Sequence, residues 1–285
     1  MKTKSNKVLI YDNQCPMCTA YSAAFVKSGM LGSEERVGFQ ELKEQDYICR
    51  LDIERASREI PLVDLETGEI RYGVDALLHL LGERFPGTER LLRKGFFFKS
   101  LTKLYAFISL NRRIIVPPGN KLQGMDFAPP FDPKSRIRLL TVAILFASIV
   151  SVGFGLSIGH YVIVSGIGWK MLVAVGAGWG LQLAVTASLI RNQQQRLDYA
   201  SHLGVLMVIG VLFLIPSLPL SAFTHFRYPL IPAISVLISS GVMLYQHIKR
   251  IKALGLSQRW TVSWFLSLQL AAWSSVWIYY LNHAQ

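Results

Sequence analysis

The C-terminal half of the chain is dominated by five long stretches without a charged side chain. They run Leu139–Trp169, Met171–Ile190, Tyr199–Phe226, Tyr228–Ile248 and Trp260–Gln285. A helix of about 20 mostly apolar residues matches the hydrocarbon thickness of a bilayer. Inside lipid the helix is the element that satisfies its own backbone groups. Five such runs in succession are more apolar helix than a soluble core of that length absorbs. The sequence therefore predicts an all-α transmembrane domain over 137–285, with spans near 138–158, 170–190, 203–221, 229–248 and 261–281.

The formal net charge is +12. Such an excess often marks a nucleic-acid binder. Here residues 1–83 are net acidic, and the positive excess lies in a connector and in short loops between apolar runs. The pattern fits membrane topology, and no basic recognition motif accompanies it, so nucleic acid is not expected as a partner. Lys and Arg concentrate before span one (Lys121, Lys134, Arg136, Arg138), after span two (Arg191, Arg196) and after span four (Lys249, Arg250, Lys252, Arg259). The alternate loops are poor in them, with Lys170 and Arg227 the main exceptions. The positive-inside rule then puts the N-terminal domain in the cytoplasm and the C-terminus outside a cell (inner) membrane. The first residues carry only the short apolar run Val8–Tyr11, below the roughly 7–15 residues of a signal-peptide core, so no cleaved signal is expected.

The spans carry little chemistry. No charged residue stands at a span centre, so no ion or proton relay is evident. Gly176, Gly178 and Gly180, and Gly155 with Gly159, are compatible with close helix packing. Pro216, Pro219, Pro229 and Pro232 mark helix ends or kinks around an outer turn. His202 and His247 fall at one depth. Ligation by the pair is one reading, and interfacial histidines that touch water are the expected one, because ligation needs second-shell support.

Residues 7–113 read differently. Val8–Tyr11 is a short β-prone run followed at once by Cys15-Pro16-Met17-Cys18. A helix is predicted over Thr19–Met30 and a strand over Arg36–Gln40. A charged helix follows over Glu44–Glu59, with Tyr47, Ile48, Leu51 and Ala56 inward. Two strands, Pro61–Leu65 and Glu69–Tyr72, flank a Thr67-Gly68 turn. A helix over Gly73–Arg84 has Val74, Leu77, Leu78 and Leu81 on one face. Residues 95–116 form an amphipathic closing helix, whose basic residues Lys99, Lys103, Arg112 and Arg113 could meet anionic lipid heads. Proline then breaks it, and a Pro-rich basic linker runs over 117–136.

The chemistry concentrates in Tyr11-Asp12-Asn13-Gln14-Cys15-Pro16-Met17-Cys18. A thiolate is the attacking species in disulfide exchange. Cys15 precedes a predicted helix, where unpaired N–H groups favour an anion. Cys18 lies about one turn on, within reach of a mixed disulfide on Cys15, and Pro16 suits the first helical position. Cys15 is thus the expected nucleophile and Cys18 the resolving thiol. Asp12 has two readings: a proton shuttle for Cys18, or a cap that fixes the turn. Met17 and Tyr11 either shape the rim or pack. Zinc is the rival for the pair, but it needs four ligands, and the other candidates are Cys49, expected to be an ordinary buried cysteine, and His79. No metal and no cofactor beyond the dithiol are expected.

These residues resemble the DCC family of thioredoxin-like proteins, whose Asp-x-x-Cys-x-x-Cys signature is matched by Asp12, Cys15 and Cys18 after Tyr11. A second matching block is IPLVDLETGEIRYGVDALLHLL, 60–81, with Pro61, Gly73 and Ala76. A third is YAFISLNRR, 105–113. The resemblance covers about 7–115 and none of the spans. It implies an α/β thioredoxin-like domain over 1–116, thiol–disulfide oxidoreduction on protein or small thiol substrates, and a cis-proline at Pro61 that faces the pair and docks the partner. Asn13 departs from the family, which has glycine there; Asn tolerates a left-handed backbone better than most residues. The expected protein is a membrane-anchored oxidoreductase. The alternatives are quinone-linked redox or transport by the spans, and a multi-pass protein whose cysteine domain senses redox state or binds a partner.

Overall fold

The computed structural model describes residues 6–42, 50–119, 127–161 and 167–281. The chain forms two compact units, 1–135 and 136–285. In the first, β1 (Lys7–Tyr11), α1 (Pro16–Lys27), β2 (Arg36–Gly38), α2 (Ile53–Arg58), β3 (Pro61–Asp64), β4 (Ile70–Tyr72), α3 (Gly73–Arg84), α4 (Pro86–Leu92) and α5 (Gly95–Ile115) follow in order. The sheet order is β2-β1-β3-β4. β1 runs parallel to β2, with Leu9 opposite Arg36, and antiparallel to β3, with Leu9 opposite Leu62. β3 and β4 form a hairpin, Pro61 opposite Tyr72.

β1 reads as an unbroken apolar run because both faces of the sheet are covered. Leu9 and Tyr11 join Cys15, Cys18, Leu62, Ala76 and Leu80 on one face. Val8 and Ile10 join Phe39, Leu51, Ala56, Val63 and Phe127 on the other. On α3, Ala76 and Leu80 are the fully buried positions, while Leu77, placed inward by sequence, is only half-buried. The first helix starts at Pro16, three residues before the expected Thr19, so Cys18 lies inside its first turn. It ends on Gly29 at φ +73°, with the amide of Met30 donating to the Phe25 carbonyl, a glycine-closed terminus. The expected helix over Glu44–Glu59 is observed only as α2; Tyr47, Ile48 and Cys49 lie outside the described residues, as does Lys121. Phe127, assigned by sequence to the linker, is instead core: its ring stacks on Phe39 with centroids 3.6 Å apart.

The second unit consists of helices α6 (Pro133–Ile158, which begins at the end of the first unit), α7 (Ile167–Leu189), α8 (Gln193–Leu212), α9 (Ser217–Phe223), α10 (Leu230–Ala253) and α11 (Arg259–Leu281). Four segments among the described residues are long and apolar enough to cross a membrane: Pro133–Ile158, Leu172–Leu189, Gln193–Phe223 and Leu230–Ala253. The expected fifth span falls on α11, several of whose side chains beyond Ala271 lie outside the described residues. Large apolar side chains such as Ile149 (72% exposed) and Leu237 (74%) point away from the helix bundle, the pattern of a surface solvated by lipid. Of the glycines in α7, Gly178 makes the close approach: a Cβ there would lie 2.7 Å from that of Ala271, whereas Gly176 and Gly180 face open space.

Candidate functional site

The turn after β1 builds the site. The Cys15 amide donates to the Asp12 carbonyl at 3.1 Å, and the Gln14 amide donates to Asp12 Oδ1 at 3.1 Å. The aspartate thereby closes its own turn. Asn13 does so without a left-handed backbone, since among the described residues the non-glycine positions with positive φ are His225 and Phe226. Its side chain packs instead over Gly38, where a Cβ would lie 2.8 Å from Asn13 Nδ2. The departure from glycine at position 13 leaves the turn undistorted, because this turn asks for no positive φ there.

Cys15 is the N-cap of α1 and Pro16 its first residue. The Cys18 thiol and the Cys18 backbone N–H both hydrogen-bond the Cys15 sulfur. These bonds, with the nearby Arg112 guanidinium, outweigh burial and hold the Cys15 thiol down to about 6. Cys18 moves the opposite way: its bond to Cys15 and its burial push it far above the ordinary thiol range. The reduced pair thus carries one proton, on Cys18. Cys15 is fully buried at 0% exposure and Cys18 nearly so at 5%.

Asp12 (3% exposed) is clamped from α5. Its Oδ2 accepts from Arg112 Nη2 and from Arg113 Nη2, each at 3.0 Å. Arg112 also donates to the carbonyls of Phe127 (2.8 Å) and Ser57 (2.9 Å). The Arg112 guanidinium held there favours a thiolate on Cys15, and the Asp12 carboxylate opposes it. This corrects the expectation that Arg112 and Arg113 belong to a lipid-facing basic surface: they turn inward because a buried carboxylate requires paired charge. Of the two readings of Asp12, the turn-fixing one is directly visible, since both of its oxygens are engaged.

A cavity of about 230 Å³ adjoins the pair. Cys18, Tyr11, Met17, Tyr21, Ile60, Tyr105 and Arg112 are among its walls; Cys15, Pro16 and Pro61 are not. Tyr21 hydrogen-bonds Cys18. The Tyr105 hydroxyl accepts from the Ile60 amide at 2.9 Å, and burial raises it to about 12. Tyr11 also packs under Arg36, whose guanidinium carbon lies 4.0 Å from the ring centroid. The Ile60–Pro61 bond is trans, against the cis isomer implied by the resemblance. The Ile60 carbonyl accepts from Gly73 and its amide donates to Tyr105, so both polar groups of the residue are used within the domain.

Sequence reasoning missed Tyr21, Tyr105, Ser109 and Arg112 as site residues. The available signal was the adjacency of Arg112 and Arg113 at the end of an otherwise apolar helix face. His79, the far zinc candidate, lies against two cations: Lys7 Nζ is 2.9 Å from its Nε2, and Arg71 approaches its Nδ1. Burial and those cations lower its pKa. Among the described residues no three His, Cys, Asp or Glu groups lie together as a metal site.

A second polar cluster lies in the helical unit. Gln182 Nε2 donates to the Tyr199 hydroxyl at 3.0 Å, and Tyr199 meets His247 Nε2 at 3.2 Å. His247 Nδ1 meets Thr261 at 3.2 Å, and its ring stacks on Trp264. Arg250 contacts His202 Nδ1 at 2.8 Å, and Arg136 pairs with Asp198 at 2.6 Å. The expectation of water-facing histidines is therefore corrected: His202 and His247 are 4% and 1% exposed. Each finds a partner on a neighbouring helix, as polar groups in an apolar bundle must.

No protein-family model, no curated protein and no solved structure matches the chain.

Proposed function

We propose that the chain is a thiol–disulfide oxidoreductase anchored in a membrane, with Cys15 and Cys18 as its redox pair in a cytoplasmic thioredoxin-like domain of the DCC type. The observation that carries this reading is the pair itself: a cysteine at a helix N-cap, hydrogen-bonded by the thiol one turn on and depressed to about 6. A thiol with a pKa near ambient pH is both a competent nucleophile and a good leaving group. The sheet order β2-β1-β3-β4, with the pair between β1 and α1, supports the thioredoxin-like reading. The DCC signature at Asp12, Cys15 and Cys18, and the blocks around Pro61, Gly73 and Arg112, support the family reading.

In this reading Cys15 supplies the thiolate, Cys18 holds the proton, and Asp12 fixes the turn and anchors Arg112, whose charge favours the thiolate. Tyr11 and Met17 form part of the substrate wall. Pro16 starts the helix, and Pro61 leads β3 beside Ile60. The cytoplasm is reducing, so a disulfide there is transient and catalytic. The spans hold the domain at the bilayer. The test is a redox titration of the full chain in detergent, read by mass shift after alkylation. Cys15 and Cys18 should interconvert as one two-electron dithiol/disulfide couple, and Cys15→Ser or Cys18→Ser should abolish it. A pair that stays reduced across the whole range of thiol/disulfide buffers would remove the reading.

A further inference from the structure

The buried nucleophile and the walled cavity bear on what reacts with the pair. Cys15 has no exposed surface, so a protein disulfide docking on the domain finds no sulfur of Cys15 to meet. Cys18 lines the cavity of about 230 Å³. That volume lies below the roughly 300–1,000 Å³ of sites for drug-sized ligands. Its walls include Met17, Phe25, Leu77 and Ile108, which favour an apolar occupant. One donor stands out among them. Arg112, 5% exposed, spends its terminal nitrogens on Asp12, Phe127, Ser57 and Ser109, but its Nε has no hydrogen-bond partner and is buried. A buried donor left unpaired is unfavourable, and an acceptor atom on a ligand that reaches Arg112 would relieve it.

We propose that this cavity binds a small, mainly apolar thiol or its disulfide bearing a carboxylate or similar acceptor, and that the substrate sulfur is exchanged at Cys18 rather than at Cys15. The inference rests on the oxidoreductase reading above and reverses the roles expected from the order of the two cysteines. Starting from the oxidised pair, the substrate thiolate attacks Cys18 Sγ. A Cys18–substrate disulfide forms, the Cys15–Cys18 bond breaks, and Cys15 leaves with the electron pair as a thiolate. Of the two sulfurs Cys15 is the better leaving group, since a lower thiol pKa leaves faster. A second substrate thiolate then attacks the substrate sulfur of that mixed disulfide. The substrate disulfide departs, and Cys18 takes up one proton, restoring the Cys18 thiol that donates to Cys15. Two thiols are oxidised and the protein disulfide is reduced. The same steps run backwards reduce a small disulfide at the expense of the protein dithiol.

The experiment uses the full chain in detergent, oxidised, mixed with mercaptobenzoate and quenched in acid, with the adduct located by peptide mass. The expected product carries mercaptobenzoate on Cys18. An adduct on Cys15 overturns the proposal. A parallel reaction of the same protein with a short cysteine-containing peptide should run at least about tenfold slower, and equal or faster exchange with the peptide also overturns it. Leu77→Trp, which fills the cavity, should slow mercaptobenzoate by a similar factor, and an unchanged rate in this variant overturns the proposal. These outcomes separate the two readings: a pair that never forms a disulfide fails the oxidoreductase assignment, whereas a pair that exchanges at Cys15 fails only this one.

Discussion

At the scale of single residues, the site is an electrostatic balance. Arg112 favours the Cys15 thiolate and Asp12, which holds Arg112 in place, opposes it. The thiolate absorbance of the reduced chain should vanish as pH falls through about 6, whereas in the unfolded chain it vanishes near the ordinary value of about 8.5. The folded pKa is depressed, so the stabilisation from the thiolate is complete above about pH 8.5 and is lost as pH falls through about 6. Asp12→Asn should act in two ways. It leaves the buried Arg112 without its carboxylate, at a cost of about 3–5 kcal/mol, and it removes the negative charge that raises Cys15, so the thiolate transition moves to lower pH. Thermal unfolding of the reduced variant checks the first effect and its ultraviolet pH titration the second. Unchanged stability with slowed exchange would favour the proton-shuttle role for Asp12.

At the scale of elements, junctions decide what the helices and strands deliver. β4 turns into α3 at Gly73, which has φ +58° and lies under the Tyr105 ring. Only glycine takes that backbone without penalty, and a Cβ there would come within 3.2 Å of the ring. Gly73→Ala should destabilise the chain by about 1–3 kcal/mol, visible as a lowered melting temperature. Because Tyr105 receives the Ile60 amide, the change should also widen the cavity beside Cys18 and weaken discrimination between small and large thiols. In the bundle, α7 and α11 approach at Gly178 and Ala271, and buried Gln182 accepts from Ser263 and Ser267 at 3.1 Å each. Close packing and side-chain hydrogen bonds cooperate at one seam, which is how apolar helices associate without a hydrophobic driving force between them.

At the scale of the whole molecule, the testable quantity is direction in the membrane. Basic loops alternate with poor ones, and we propose that α11 is a fifth crossing beyond the four apolar segments. A reporter active only in the cytoplasm should be active when fused ahead of Met1 and silent when fused after Gln285. Activity at both ends would mean an even number of crossings and would return α11 to one side of the bilayer.

The membrane character was legible because it rests on composition over windows of about 20 residues, a property that needs no partner. The order of strands and helices before it was legible for the same reason: periodicity, Pro16 at a helix start and Thr67-Gly68 at a turn are local. Tertiary structure alone decided the rest. Asp12 and Arg112 are separated by 100 positions and share a 3.0 Å bond; nothing local links them. His202 and His247 looked like wet interfacial residues until Arg250, Tyr199 and Thr261 were brought against them from other helices. Cys15, first in its motif and expected to face the partner, is the buried sulfur, while Cys18 faces the cavity. A motif fixes which atoms are near one another along the chain, but exposure depends on what the distant helix α5 lays over them.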